Sequence, residues 1–355
     1  MKKVISFPHL GDYYIPISIF LKRTTNLKVM PAPPITKKTI ELGAKYSPDS
    51  VCLPFKYNLG NFIESLENGA NILFTAGGGC RYRYYAEVTE TILKDLGYEF
   101  EFYKLISKNN LKITEVYKIF KKLNKDLSFS YFIHSILYTL IFIWQMDKID
   151  KIIRKNIGFE KKKNAHLVLK KRMIKKFKNT DSIIELILYY FKYKYLFKKI
   201  PLKKVKRLKV GIIGELYTAM EPTSTYFLEK ELASMNIEIK RYTNLSYLLW
   251  QKKFCKRHML KKVKKYCKYK LGADGLDNIY RTMQLINKKY DGIIHTKPFG
   301  CTPEVTAIPI IQKIANENNM PIIFLSFDTE TSDEGIKTRL EAFYDLLKIR
   351  RDKND

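Results

Sequence analysis

Apolar and polar positions along the first hundred residues follow two periods. Short apolar runs at 4–7, 27–30, 71–76 and 100–105 predict β-strands. Between them, residues 84–96 carry Val88, Ile92, Leu93 and Leu96 at helical spacing and end at Gly97, a residue suited to the position just past a helix. Strand and helix in alternation imply a mostly parallel sheet. The pattern returns after Pro201: L-K-V-G-I-I-G reads as a strand, 226–235 as a helix and 237–241 as a strand. D-G-I-I-H-T-K then leads into a helix at 305–316, and P-I-I-F-L-S-F leads toward another at 335–347. Residues 103–199 read instead as helical, with lysine clusters around apolar stretches. The chain therefore divides into an N-terminal α/β lobe (1–105), a mainly helical basic connecting segment (106–204) and a C-terminal α/β lobe (205–355).

A length of 355 residues with 46% apolar and 14% aromatic content supports two real cores. The formal charge is +30, from 65 Lys and Arg against 35 Asp and Glu. Lysine outnumbers arginine, and Lys, Ile, Asn and Tyr are abundant together, which marks a general compositional bias. No recognisable binding motif accompanies the charge, so nucleic acid is not an expected partner. Residues 127–146 are uncharged and about as long as the ~20 residues that span a bilayer. Ser128, Ser130, His134, Ser135, Thr139 and Gln145 interrupt the run, and it is expected to be a core helix with His134 buried and hydrogen-bonded; a membrane is not an expected partner. G-x-x-G at 211–214 lacks the remainder of a dinucleotide loop and points to close strand-to-helix packing.

The five cysteines include no C-x-x-C pair, and Pro8 and Asp12 break up what would be a signal peptide's apolar run. A reducing cytoplasm is the expected compartment, where thiols serve as buried hydrophobes, nucleophiles or metal ligands. Cys52 in V-C-L-P-F-K, Cys80 in G-G-G-C-R and Cys301 in K-P-F-G-C-T-P-E each stand where a strand is expected to end and a helix to begin. Ligands gather at that edge of a parallel sheet, because helix N-termini there present backbone N–H groups. Gly77, Gly78, Gly79 and Gly300 permit close backbone approach, and Thr302, Pro303 and Glu304 read as N-cap, N1 and N2. Lys56 and Arg81 are placed to stabilise thiolates or a negatively charged cluster. The spacings match no zinc or ferredoxin pattern, so scattered buried thiols remain an alternative, as does a nucleophile partnered by His295. Cys255 and Cys267 read as incidental helix residues, with metal binding through Cys255, His258 and Cys267 the lesser option.

Five motifs in one order resemble the 2-hydroxyacyl-CoA dehydratase superfamily, and more closely its small branch of CoA enzyme activase-like, dehydratase-related proteins. They are P-x-S-V-C-L-P-F-K, G-G-G-C-R-Y-R-Y-Y, G-E-L-Y-T-A-M-E-P at 214–222, K-P-F-G-C-T-P-E, and D-E-G-I-K-T-R-L-E-A-F at 333–343. The resemblance implies two Rossmann-like or flavodoxin-like lobes with a [4Fe-4S] cluster in the cleft between them, ligated by Cys52, Cys80 and Cys301. Lys56, Gly79, Arg81, Gly300 and Glu304 would then lie near the cluster. It further implies low-potential electron transfer, an ATP-hydrolysing activator protein as electron donor, and an acyl-CoA as the molecule acted on. Three cysteines for four irons leave one iron open or held by another residue, with His9, Glu215 and Glu304 the candidates. A dehydratase-type lyase or reductase acting on an acyl thioester, and a basic structural or RNA-associated protein without a cluster, are the other readings.

Overall fold

The computed structural model describes residues 2–77, 80–105, 113–269 and 271–353. It divides into two units, Met1–Leu140 and Ile141–Asp355. The segment expected to connect two lobes contributes to both: the helix Ile113–Leu123 belongs to the first, while Ala165–Lys178 and Ile183–Lys198 belong to the second.

The first unit carries β1 (Val4–Ser6), β2 (Lys28–Val29), β3 (Ile72–Thr75) and β4 (Glu101–Lys104), all parallel, in the order β2-β1-β3-β4. Side chains alternate across the sheet as a period of two requires. Ile5, Ile72 and Phe74 face one core with Leu21, Phe120 and Phe132 from three helices, while Leu73 faces another with Phe55, Leu59, Phe62 and Leu93. Two of the helices on that second side, Lys37–Tyr46 and Leu53–Glu67, approach unusually closely. A Cβ on Gly43 would meet the Lys56 carbonyl at 1.9 Å, and one on Gly60 the Thr39 carbonyl at 2.0 Å.

The second unit repeats the topology. Strands β5 (Leu208–Gly214), β6 (Ile237–Arg241), β7 (Gly292–Pro298) and β8 (Ile322–Phe327) are parallel in the order β6-β5-β7-β8. Ile213 and Ile293 pack with Leu276, Ile279 and Leu285 of the helix Gly275–Asn287 and with Ala307, Ile311 and Ile314 of the helix Thr302–Glu317. Gly211 and Gly214 serve packing, as the sequence indicates: a Cβ at Gly211 would strike Leu285, and Gly214 (φ 139°) lies against the Thr296 carbonyl.

One described helix, Phe129–Phe159, is long and apolar enough by length and composition to cross a membrane, and 44% of its most apolar window is buried. His134 on it is half-buried and hydrogen-bonded, with Nδ1 3.2 Å from the Arg23 guanidinium, whose face lies over the Tyr131 and Tyr138 rings.

Candidate functional site

In a parallel sheet of this strand order the chain leaves β1 to one side and β3 to the other, so the loops at their carboxyl ends diverge and leave a crevice. In the first unit that edge holds Phe7 to His9 after β1, and Ala76, Gly77 and Cys80 after β3. In the second it holds Glu215 after β5 and Phe299 to Cys301 after β7.

All three candidate cysteines open a helix. Cys52 is the N-cap of Leu53–Glu67, Cys80 of the short 3₁₀ turn Arg81–Tyr84, and Cys301 of Thr302–Glu317. The helix at Cys301 begins one residue earlier than the sequence suggested: Gly300 turns the chain at φ 72°, Cys301 is already extended, and its carbonyl accepts the first helical bond from Val305 N–H at 2.9 Å. Thr302, Pro303 and Glu304 are accordingly N1, N2 and N3. Cys52 also departs from expectation, because what precedes it is the helix Lys37–Tyr46 and a loop through Pro48, not a strand. That helix ends where Ser47 turns extended ahead of proline, whose ring disfavours the α region for the residue before it.

Cys52 and Cys80 stand on neighbouring loops. Arg81 reaches the Ser50 carbonyl at 3.5 Å, Tyr82 hydroxyl bonds Asn58, and the Tyr82 and Tyr85 rings are 5.4 Å apart. Tyr85 hydroxyl accepts from Cys52 N–H at 3.3 Å and lies 3.3 Å from Cys52 Sγ. Burial, then the hydrogen bond to Cys52, pushes the Tyr85 phenol well above its ordinary range, so it keeps its proton and can donate it to the sulfur. Lys56 is half-buried in the helix that Cys52 caps and forms no ion pair among the described residues. Gly79 lies outside the described residues. His9 stands ahead of the first helix, whose N-cap is Tyr13; its N–H is held by Asn61 Oδ1 at 3.0 Å and its ring stacks on Tyr14.

The second unit surrounds its crevice with a buried polar network that the sequence did not announce. His295 Nε2 on β7 meets Glu304 Oε2 at 2.7 Å, and Asn278 donates to the same oxygen at 2.8 Å while accepting from Gly214 N–H. His295 Nδ1 and Glu304 Oε1 are buried with no hydrogen-bond partner among the described residues. Glu215 caps the helix Leu216–Met220, accepting from Tyr217 and Thr218 N–H and from the Thr218 hydroxyl. Asp274 accepts from Leu216 N–H, and Lys252 bridges Asp274 and Asp277 at 2.6 and 3.1 Å. Burial, with the neighbouring Asp274 charge, lifts Glu215 to about 7. Burial also raises Asp274; it opposes the charge on Lys252, but Asp274 and Asp277 outweigh it and hold that ammonium charged. Lys297 is buried, which lowers its pKa, while Cys301 and Glu304 act in the other direction.

Among the described residues no three His, Cys, Asp or Glu side chains converge as ligands of one metal ion, and no cluster site is evident. In kind the thiols fit a thiolate-bound group, since each sits where a helix presents its first N–H groups. In number neither unit holds a complete set. Cys255 lies within the helix Lys252–Val263, but Cys267 falls beyond it, buried in the core with its Sγ donating to the Tyr269 carbonyl at 3.0 Å.

Residues 216–347 match the family 2-hydroxyglutaryl-CoA dehydratase, D-component. The match covers Cys301, Glu304, His295 and the Lys252–Asp274 pair, and leaves Cys52 and Cys80 outside it. No curated protein matches the chain.

Proposed function

We propose that this chain is a cytoplasmic iron–sulfur protein related to the 2-hydroxyacyl-CoA dehydratases, with Cys52, Cys80 and Cys301 as thiolate ligands of a [4Fe-4S] cluster. One observation carries the reading. Cys80 and Cys301 follow the corresponding strand, the third in sequence, of two sheets with the same strand order, and each of the three cysteines opens a helix. A helix N-terminus favours negative charge, hence a thiolate over a thiol. The bound cluster would supply low-potential one-electron chemistry.

The chain's own residues would do the rest. Tyr85 hydroxyl donates to Cys52 sulfur, and Arg81 and Lys297 add positive charge beside Cys80 and Cys301. An ATP-hydrolysing activator protein is the proposed electron donor. A dehydratase-type lyase acting on an acyl thioester is a second reading, favoured by Glu215: a carboxyl poised near neutral pH at the sheet's carboxyl edge can give and take a proton during loss of water.

Anaerobic purification and reconstitution followed by iron and acid-labile sulfide analysis tests the proposal, with about four of each expected per chain. A reconstituted protein free of both would leave the basic structural or RNA-associated reading. Turnover of a 2-hydroxyacyl thioester would separate the lyase from the electron carrier.

A further inference from the structure

The opposite edge of the second sheet carries a different chemistry. A cavity of about 770 Å³ lies between the second half of the helix Phe129–Asn156, the helix Ile183–Lys198 and the amino-terminal ends of β5 and β6. Lys148, Lys151 and Lys155 point to it from the first helix at i, i+3 and i+7, and Lys194 and Lys198 from the second at i and i+4. Lys209 completes the ring from β5. Among the described residues the only carboxylate lining it is Glu238, the register partner of Lys209, and Arg207 already engages that group at 3.3 Å.

The neighbouring carboxylates off the cavity are already taken by other cations. Asp150 pairs with Lys170 at 2.6 Å, and Glu229 lies 3.8 Å from Arg154 and 2.9 Å from Arg241. None of the six cavity lysines forms an ion pair among the described residues; Lys148 and Lys194 lie instead over the Trp144 and Tyr190 rings. The concentration of positive charge reaches the adjacent Lys240, which burial and then Lys151, Lys288 and Arg154 push down to about 7.

We infer that this cavity binds a multiply phosphorylated small molecule of nucleotide size. Its volume falls within the roughly 300–1,000 Å³ of small-molecule sites. Lysines act as point charges suited to the spread charge of phosphates, whereas carboxylates are typically met by the planar arginine fork, here committed to Glu238. The cations converge on a concavity and do not run as a stripe along one face, which favours a compact ligand over a nucleic-acid strand. Because Lys209 and Glu238 stand at the strand ends remote from Glu215 and Cys301, the inference is independent of the cluster proposal.

Calorimetric titration of the full chain with inorganic tripolyphosphate and with ATP tests it. Wild type is expected to bind at least one of them, and the two probes separate a bare phosphate chain from a nucleotide as the preferred form. The double variant Lys194→Glu/Lys198→Glu should weaken binding by about tenfold or more, as losing charge-assisted contacts implies. Lys194→Gln/Lys198→Gln, which leaves no new charge, should give a smaller loss, and Lys261→Glu/Lys262→Glu on an exposed helix elsewhere should change affinity less than about twofold. Absence of binding in wild type overturns the inference. So does equal weakening by the Lys261/Lys262 variant, or tighter binding of a twelve-nucleotide RNA with the same dependence on Lys194 and Lys198.

Discussion

At the scale of single residues the thiols separate into two kinds by what surrounds them. Serine at Cys52, Cys80 or Cys301 is expected to abolish or bleach the visible absorption of the reconstituted protein, because an alkoxide oxygen is a hard, poor substitute for thiolate on iron. Serine at Cys255 or Cys267 should leave the spectrum unchanged, although Cys267→Ser places a polar group in a core and will lower stability. A normal spectrum in all of the first three variants would remove the cluster from this protein. Glu215 makes a prediction of its own. Its folded pKa of about 7 stands above the ordinary 4.5, so as pH rises from 4.5 to 7 the unfolded chain ionises first and the folded state loses stability across that window. Glu215→Gln removes the effect, so its melting temperature should gain on wild type between pH 4.5 and 7; a gap constant with pH would contradict the burial argument. The settings of Cys80 and Cys301 were legible because glycines, a basic residue and helix-start chemistry are local signals. The pairing of His295 with Glu304, and the gathering of Asn278, Asp274 and Lys252 around them, were not. The first contact joins a strand to the helix that follows it and the others join segments 22 to 64 residues apart, and no spacing rule links them.

At the scale of elements the strands were read nearly to their ends, since short β-rich apolar runs bounded by turns have few other interpretations. At Cys52 only the segment ahead differs from expectation, for a related reason: a short apolar segment before proline looks like a strand end, while the helix Lys37–Tyr46 ahead of it has only two buried residues, Thr39 and Gly43, to betray its inner face. What holds that helix in place is the absence of a side chain. Gly60→Ala should lower stability by about 2 kcal/mol or more, the scale of overpacking against backbone, because Thr39's carbonyl is not free to give way. Gly272→Ala, with nothing within 4 Å of its added carbon, is the control and should change the unfolding midpoint little. Equal effects from the two in chemical denaturation would mean the helices part readily. Since Cys52 caps the same helix that holds Gly60, the alanine should also disturb the Tyr85 contact to its sulfur.

At the scale of the whole molecule a charge of +30 acts against compactness. Raising sodium chloride from low to moderate concentration should therefore raise the melting temperature, on the order of a few degrees. A fall would mean that the paired groups around Lys252, Lys170 and Arg154 outweigh the repulsion. The repeated strand order, with every strand of one sheet preceding every strand of the other, fixes a sequence of events in time. Domains fold as units, the N-terminal one first as the chain is made. The ribosome releases β4 while β5 is still unwritten, so Cys52 and Cys80 can settle at their helix starts before Cys301 exists. Until synthesis passes residue 301 the chain offers only two of the three candidate thiols. Whatever requires all three must wait for the second unit, and a cell that stalls translation before residue 301 should accumulate chains that cannot be loaded.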